Sequence, residues 1–306
     1  MFFTPPQEPP KAPIVTVWVH GTQPDEHLPL FLANLTKKVS GMLGGDSPKG
    51  LHRTAELDAH HYPFLRAKAL ATTNPLQFQE EHFYTFGWSG KATLEGRKEA
   101  SRNLFSELKQ LDNIYQEKYG CSPELNFISH SHGGNVILHL AEINDLDNFT
   151  LNISKTILLA CPVQKHTNHL IQSDIFKRVY SLHSHTDMIQ IVDPQGLHDR
   201  KNLTKPLLSV RHFDPHPKLA QALIRWKEYP LWTNEDLCIK GIAMQGLIKA
   251  INSLNYLKKG RGLFHVEFGL LPFVRQIPTI IDQLDALFEN CSNCPAHKDH
   301  DIVIEL

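Results

Sequence analysis

No apolar run in the sequence approaches the ~18 residues that a membrane-spanning helix needs, which excludes such a span. Net charge is also nearly absent, with 31 Lys and Arg against 32 Asp and Glu. Neither nucleic acid nor an acidic membrane surface is therefore expected as the main partner, although transient membrane contact stays compatible with the composition. Cysteine is scarce, and its number is odd: five in 306 residues. That argues against a disulfide framework and for a reducing compartment. There is no Gly-rich phosphate loop, no paired-carboxylate site, no basic aromatic platform and no internal repeat. The opening Met1-Phe2-Phe3-Thr4-Pro5-Pro6 lacks the basic and apolar regions of a secretory signal. A cytoplasmic location is the expectation, with signal-less export as the alternative.

What is present is an alternation of short apolar runs and helical patterns. Residues 1–13 carry five prolines from position 4 onward and read as an arm without regular structure. Strands are expected at Ile14–Val19, Phe83–Phe86, Leu125–Ser129, Ile157–Ala160, Val179–His183 and Leu207–Val210. Helices are expected at 28–42, near 64–71, at 92–119 with Leu104, Leu108, Leu111 and Tyr115 on one stripe, at 134–146 and at 273–288. Residues 218–259 also read as helical, with Met244, Leu247, Ile248, Ile251 and Leu254 on one face. Strands without polar alternation, separated by helices and lacking hairpin signals, imply a parallel sheet with helices on both faces.

The stretch that organises this pattern is Leu125-Asn-Phe-Ile-Ser-His-Ser-His-Gly-Gly-Asn-Val136. An apolar strand runs into Ser129-His130-Ser131-His132-Gly133, and a helical pattern starts at once behind it. This is the nucleophile-elbow pattern G-x-S-x-G with Ser129 at the first Gly position. The sharp turn lifts one serine oxygen, that of Ser131, above a sheet. Its crowded backbone needs very small residues two before and two after. The helix start aims free N–H groups and partial positive charge at the same point.

Strand–His20-Gly21-Thr22, strand–Trp88-Ser89-Gly90 and strand–Ser131, in that order, resemble the α/β-hydrolase fold. Phe86-Gly87-Trp88-Ser89-Gly90 with Arg97 and Ala100 downstream, together with the Ser-His-Gly-Gly-Asn block, is similar to a group of bacterial lipase-like hydrolases. The likeness covers residues 14–190 well and the remainder weakly, and Ser129 departs from it. It implies an α/β-hydrolase domain over 14–290, with 291–306 as a C-terminal tail; the long helical stretch 218–262 reads either as a cap insertion over Ser131 or as an extra structural helix packed on the core. It also implies an oxyanion hole made by the backbone N–H groups of Thr22 and His132. For Trp88 and Ser89, packing and turn roles compete with substrate contact. His130 and His132 read as structural.

A serine nucleophile needs a base, and the base needs an acid that fixes its tautomer. The resemblance implies the chain order Ser, acid, His. Asp187, just past the strand Val179–His183, fills the acid slot, with Asp193 and Asp174 as rivals. His265 fills the base slot before the terminal helix, with His212, His216 and His198 as alternatives. The tail residues Cys291, Cys294, His297 and His300 are of zinc-ligand type, but their spacing is too tight for a zinc-finger loop, so an unstructured tail is expected. The function implied is a serine esterase or lipase acting through an acyl-enzyme on Ser131, without metal or organic cofactor. A hydrolase-fold binding protein without turnover, or a thioesterase or peptidase with the same triad, are the alternatives.

Overall fold

The mostly β-branched run Ile14–Val19 suits a pleated, buried surface and forms strand β1. The computed structural model describes residues 12–22, 47–59, 61–91, 93–147, 149–187, 212–227, 262–263, 265–290 and 302–306. Within them the further strands are β2 (Gly50–Arg53), β3 (Phe83–Gly87), β4 (Glu124–His130), β5 (Ile153–Leu159), β6 (Phe176–His183), β7 (Leu219–Arg225) and β8 (Ile302–Glu305). They make one eight-stranded sheet in the order β2-β3-β1-β4-β5-β6-β7-β8. Only the β2–β3 pairing is antiparallel. A mostly parallel sheet with β1 slotted between β3 and β4, and an antiparallel strand at one edge, is the α/β-hydrolase fold.

Helices cover both faces. The described α-helices are α1 (Tyr62–Thr73), α2 (Leu94–Tyr119), α3 (Gly133–Leu138), α4 (Leu140–Asn144), α5 (Leu271–Val274) and α6 (Ile277–Asn290). The pleat sends alternate residues to opposite layers. Val15, Val17, Val19 and Phe127 pack with Leu104, Leu108, Leu111 and Tyr115 of α2 and with Val136 of α3. Trp18, Ile128, Tyr180 and Leu182 pack on the other side with Ala67 and Leu70 of α1 and with Phe273, Ile277 and Ile281 of α5 and α6. The helix α2 starts where the Thr93 side chain accepts from Gly96 N–H, and it stops at Gly120 in the left-handed region.

Register brings the functional turns to one edge. Val19 pairs with Ser129 and with Phe86, and Leu159 with both His130 and Leu182. The turns after β1, β3, β4 and β6 therefore open side by side at the carboxyl ends of the strands. That is where parallel α/β sheets bind ligands.

Three segments differ from the sequence expectation. Leu219–Arg225, the start of the stretch read as helical, is β7. Its Ala, Gln and Leu are helix formers, but burial between β6 and β8 overrides that weak preference. Ile302–Glu305, read as part of the tail, adds β8 in parallel, and Leu306 N–H donates to Arg225 O at 2.9 Å. The edge strand β2 lies where a loop was expected. The expected helix at 28–42, the strand at 207–210, residues 228–261 of the stretch 218–262 read as a possible cap, and Cys291, Cys294, His297 and His300 lie outside the described residues. So does nearly all of the proline-rich arm. No helix among the described residues is long and apolar enough to cross a membrane.

Candidate active site

Ser131 follows β4 with a φ of 54°, one of two non-glycine residues in the left-handed region among those described. Its N–H donates to Leu159 O at 2.9 Å, and its carbonyl accepts from Gly134 N–H at 3.0 Å. The glycines behind it are there for space. A Cβ on Gly133 would stand 2.5 Å from the carbonyl oxygens of both Val19 and His20, and one on Gly134 would stand 2.5 Å from Cys161 Sγ. The helix α3 can thus begin directly against the end of β1. Ser129, at the position where the motif has Gly, is fully buried, and its hydroxyl donates to Ile157 O at 3.4 Å.

The His20-Gly21-Thr22 turn lies against this elbow. A Cβ on Gly21 would meet Ser131 Cβ at 2.8 Å. Trp88 clamps the turn from β3: its backbone N–H donates to His20 Nε2 at 3.0 Å and its indole N–H to His20 O at 2.8 Å. Because Nε2 accepts, the proton of the neutral His20 ring sits on Nδ1, which donates to Gly21 O at 2.7 Å. Burial holds the His20 pKa down to about 4, and the nearby Arg66 charge adds to that effect. Trp88 is therefore more than the packing residue its sequence position suggests. Among the described residues the buried Thr22 hydroxyl finds no hydrogen-bond partner.

Asp187 and His265 come together from distant parts of the chain. His265 Nδ1 lies 2.8 and 3.0 Å from the two carboxylate oxygens of Asp187, which is fully buried. A carboxylate only accepts, so Nδ1 carries the proton and Nε2 of the neutral ring is a base. The two backbones are laced together. Thr186 Oγ1–H donates to Leu263 O at 2.8 Å, and a Cβ on Gly262 would strike Ser184 Oγ at 2.3 Å. Gly262 also bridges Arg225 at the end of β7. Among the described residues no hydrogen bond joins Ser131 to His265.

His130, beside Ser131, reaches the backbone of His265. Its Nε2 lies 2.9 Å from the carbonyl oxygen of His265, and the two rings stand 4.7 Å apart. Burial pushes its pKa well below the ordinary histidine value, and the proximity of His265 and Arg66 lowers it further. Arg66 is itself wholly buried. Its guanidinium lies 4.4 Å from the Trp18 ring and 4.5 Å from the Tyr62 ring, and Nε–H donates to Gly269 O at 3.0 Å. Burial lowers its pKa to about 10, leaving it charged at neutral pH. On the other side of the elbow, Asn135 donates to His132 Nδ1 at 3.2 Å and to Pro162 O at 3.0 Å, and accepts from Thr167 at 2.7 Å. This fixes the His132 proton on Nε2.

Two of the rivals stand elsewhere. Asp174 is exposed and pairs with Lys218 at 3.1 Å before β6 begins. His216 precedes β7, at the end of the sheet opposite Ser131, and accepts from Lys218 N–H at 3.4 Å. His212 is exposed, with its ring 4.8 Å from that of His183. Asp193 and His198 lie outside the described residues. Sequence reading passed over Arg66, although Tyr62, Arg66 and Leu70 share one buried helical stripe. An arginine at a core position of that stripe was the available signal.

No family profile and no curated protein sequence matches the chain. Solved structures similar to it include phospholipase PlaB from Legionella pneumophila, with 16% identity and a TM-score of 0.27 over 52% of this chain and 26% of that one. The chain thus spans about a quarter of the phospholipase's length. An esterase from Pyrobaculum calidifontis matches with 11% identity and a TM-score of 0.35, over 94% of this chain and 80% of that one. The mature Bacillus licheniformis lipase BlEst2 matches with 11% identity and a TM-score of 0.35, over 92% and 96%. The fold rests on strand order and pairing. At these scores the likenesses say nothing about the substrate.

Proposed function

We propose that the chain is a serine hydrolase that cleaves carboxylic esters. The observation that carries this reading is the Asp187–His265 pair, held beside a strained serine elbow at the carboxyl edge of the sheet. In the proposed reaction His265 Nε2 takes the Ser131 hydroxyl proton as Oγ attacks the ester carbonyl. The resulting oxyanion faces the backbone N–H groups of Thr22 and His132. The tetrahedral intermediate collapses, His265 gives the proton to the departing alkoxide, and Ser131 is left acylated. Water, deprotonated by His265, then adds to the acyl carbonyl; the second tetrahedral intermediate breaks its bond to Ser131 Oγ, which takes the proton back from His265 as the acid leaves. Asp187 keeps the Nδ1 proton in place and stabilises the imidazolium formed in each half-reaction. The two N–H donors act on charge that exists only near the transition state, where one such donor is typically worth ~10²–10³ in rate.

Two measurements test it. A fluorophosphonate probe should label the protein once, on Ser131, and S131A should abolish both the labelling and the hydrolysis of short p-nitrophenyl esters. Full activity in S131A, or a folded wild-type protein that takes no label and hydrolyses no ester or thioester, would overturn the reading in favour of a binding protein.

A further inference from the structure

We propose that His130 is a positioning residue: its ring N–H holds the carbonyl of His265 and so sets where the His265 imidazole stands relative to Ser131. The inference rests on the proposed roles of Ser131, His265 and Asp187. The pleat of β4 supplies the direction. His130 lies two residues from Ile128, which packs in the layer containing Leu263 and Phe268, so the His130 ring enters the layer from which His265 comes. There it lies 2.9 Å from the His265 carbonyl. A carbonyl only accepts, so Nε2 must carry the proton, and the buried neutral ring is a permanent donor.

Position matters because, among the described residues, the His265 ring is otherwise hydrogen-bonded only to Asp187. A ring hydrogen-bonded at Nδ1 keeps its place only while its own backbone does, and movement of that backbone would carry Nε2 away from the serine. The bond from His130 pins the same residue through its backbone, and it starts from the residue adjacent to the nucleophile. The serine and its base are thereby referenced to one rigid strand end. Errors of about 1 Å in such placement can cost ~10² in rate. No sequence spacing announces this contact, since the partners are 135 positions apart.

The test compares H130M with H130Q, which are similar in size and differ in whether an N–H is available near the former Nε2. H130M is expected to lower kcat by ~10–100-fold with KM changed less than about twofold. H130Q is expected to recover most of that loss at a matched melting temperature. Wild-type kcat in H130M, or equal loss in both variants at equal melting temperature, overturns the inference. S131A and H265A serve as controls. If either keeps full activity, the reading beneath the inference fails. If both are dead while H130M is unaffected, the inference fails alone. Should neither His130 variant fold, nitrogen-15 NMR of the wild-type rings decides. A slowly exchanging proton on Nε2 of His130 supports the bond, whereas an Nδ1–H tautomer or rapid exchange refutes it.

Discussion

Ser131 is a serine in a conformation suited to glycine, and at φ 54° it carries a strain of about 1–2 kcal/mol. The surrounding contacts explain how that strain is held. Its N–H and carbonyl are both bonded, and Gly21, Gly133 and Gly134 allow three backbone segments to close on it. The strain should be separable from the chemistry. S131A and S131G both lack the hydroxyl and should both be inactive, but glycine relieves the left-handed backbone while alanine does not. S131G is therefore expected to be more stable than S131A by about 1 kcal/mol in urea unfolding. Equal midpoints for the two variants would show that the elbow is not strained. The same scale explains the buried histidines. His20 acts as a two-ended peg between Trp88 and Gly21, and Asn135 fixes the His132 tautomer. Each exchanges protonation freedom for placement.

At the scale of elements, the sheet edge near β8 yields the clearest prediction. This strand is four residues long, yet it covers β7, and Ile304 is buried against the layer of α5 and α6. Ending the chain at residue 301 would expose the β7 ladder as a free edge, which invites pairing with other chains. It would also forfeit the burial of Ile304, worth about 2 kcal/mol. The truncated protein should melt lower and show concentration-dependent association by light scattering. An unchanged melting temperature and a monodisperse solution would show that β8 is dispensable. Which elements were legible in the sequence follows from the same physics. β1, β3, β4 and β6 are apolar runs cut off by glycine, serine or histidine turns, and α2 repeats its leucines at helical spacing. β7 escaped notice because helix formers fill it, and β2 because Gly-Leu-His-Arg shows no alternation. Of the site, Ser131, Asp187 and His265 stood out because each follows a recognisable break. The pegs formed by His20, His130 and Arg66 did not. Their partners are backbone atoms and ring faces far away in the chain, and such contacts leave no local pattern.

Among the described residues the fold encloses uncharged imidazoles together with two buried arginines, Arg66 and Arg97, and the imidazoles make its stability depend on pH in a defined window. His20 and His139 are lowered by burial to about 4, and His130 lies well below the ordinary value of 6.5. In the unfolded chain all three would take up a proton near pH 6.5. Between about pH 6.5 and 4 the unfolded state thus binds protons that the folded state refuses, so stability must fall as the pH drops through that range. For His20 alone the loss amounts to about 3 kcal/mol once pH 4 is reached. The half-buried carboxylate of Asp285 acts in a different window. Burial raises its pKa, but bonds from Lys155, Tyr180 and Arg178 bring it below 3.8, so its contribution is lost only at lower pH. A decline that begins near pH 6.5 is therefore a signature of the histidines. Urea unfolding from pH 8 to 4.5 should show a plateau down to about pH 7 and then a steady fall. H139Q, which removes one titrating ring away from Ser131, should make that fall shallower. Stability that stays flat down to pH 4.5, or an H139Q profile parallel to that of the wild type, would mean that these rings are not held neutral inside the fold.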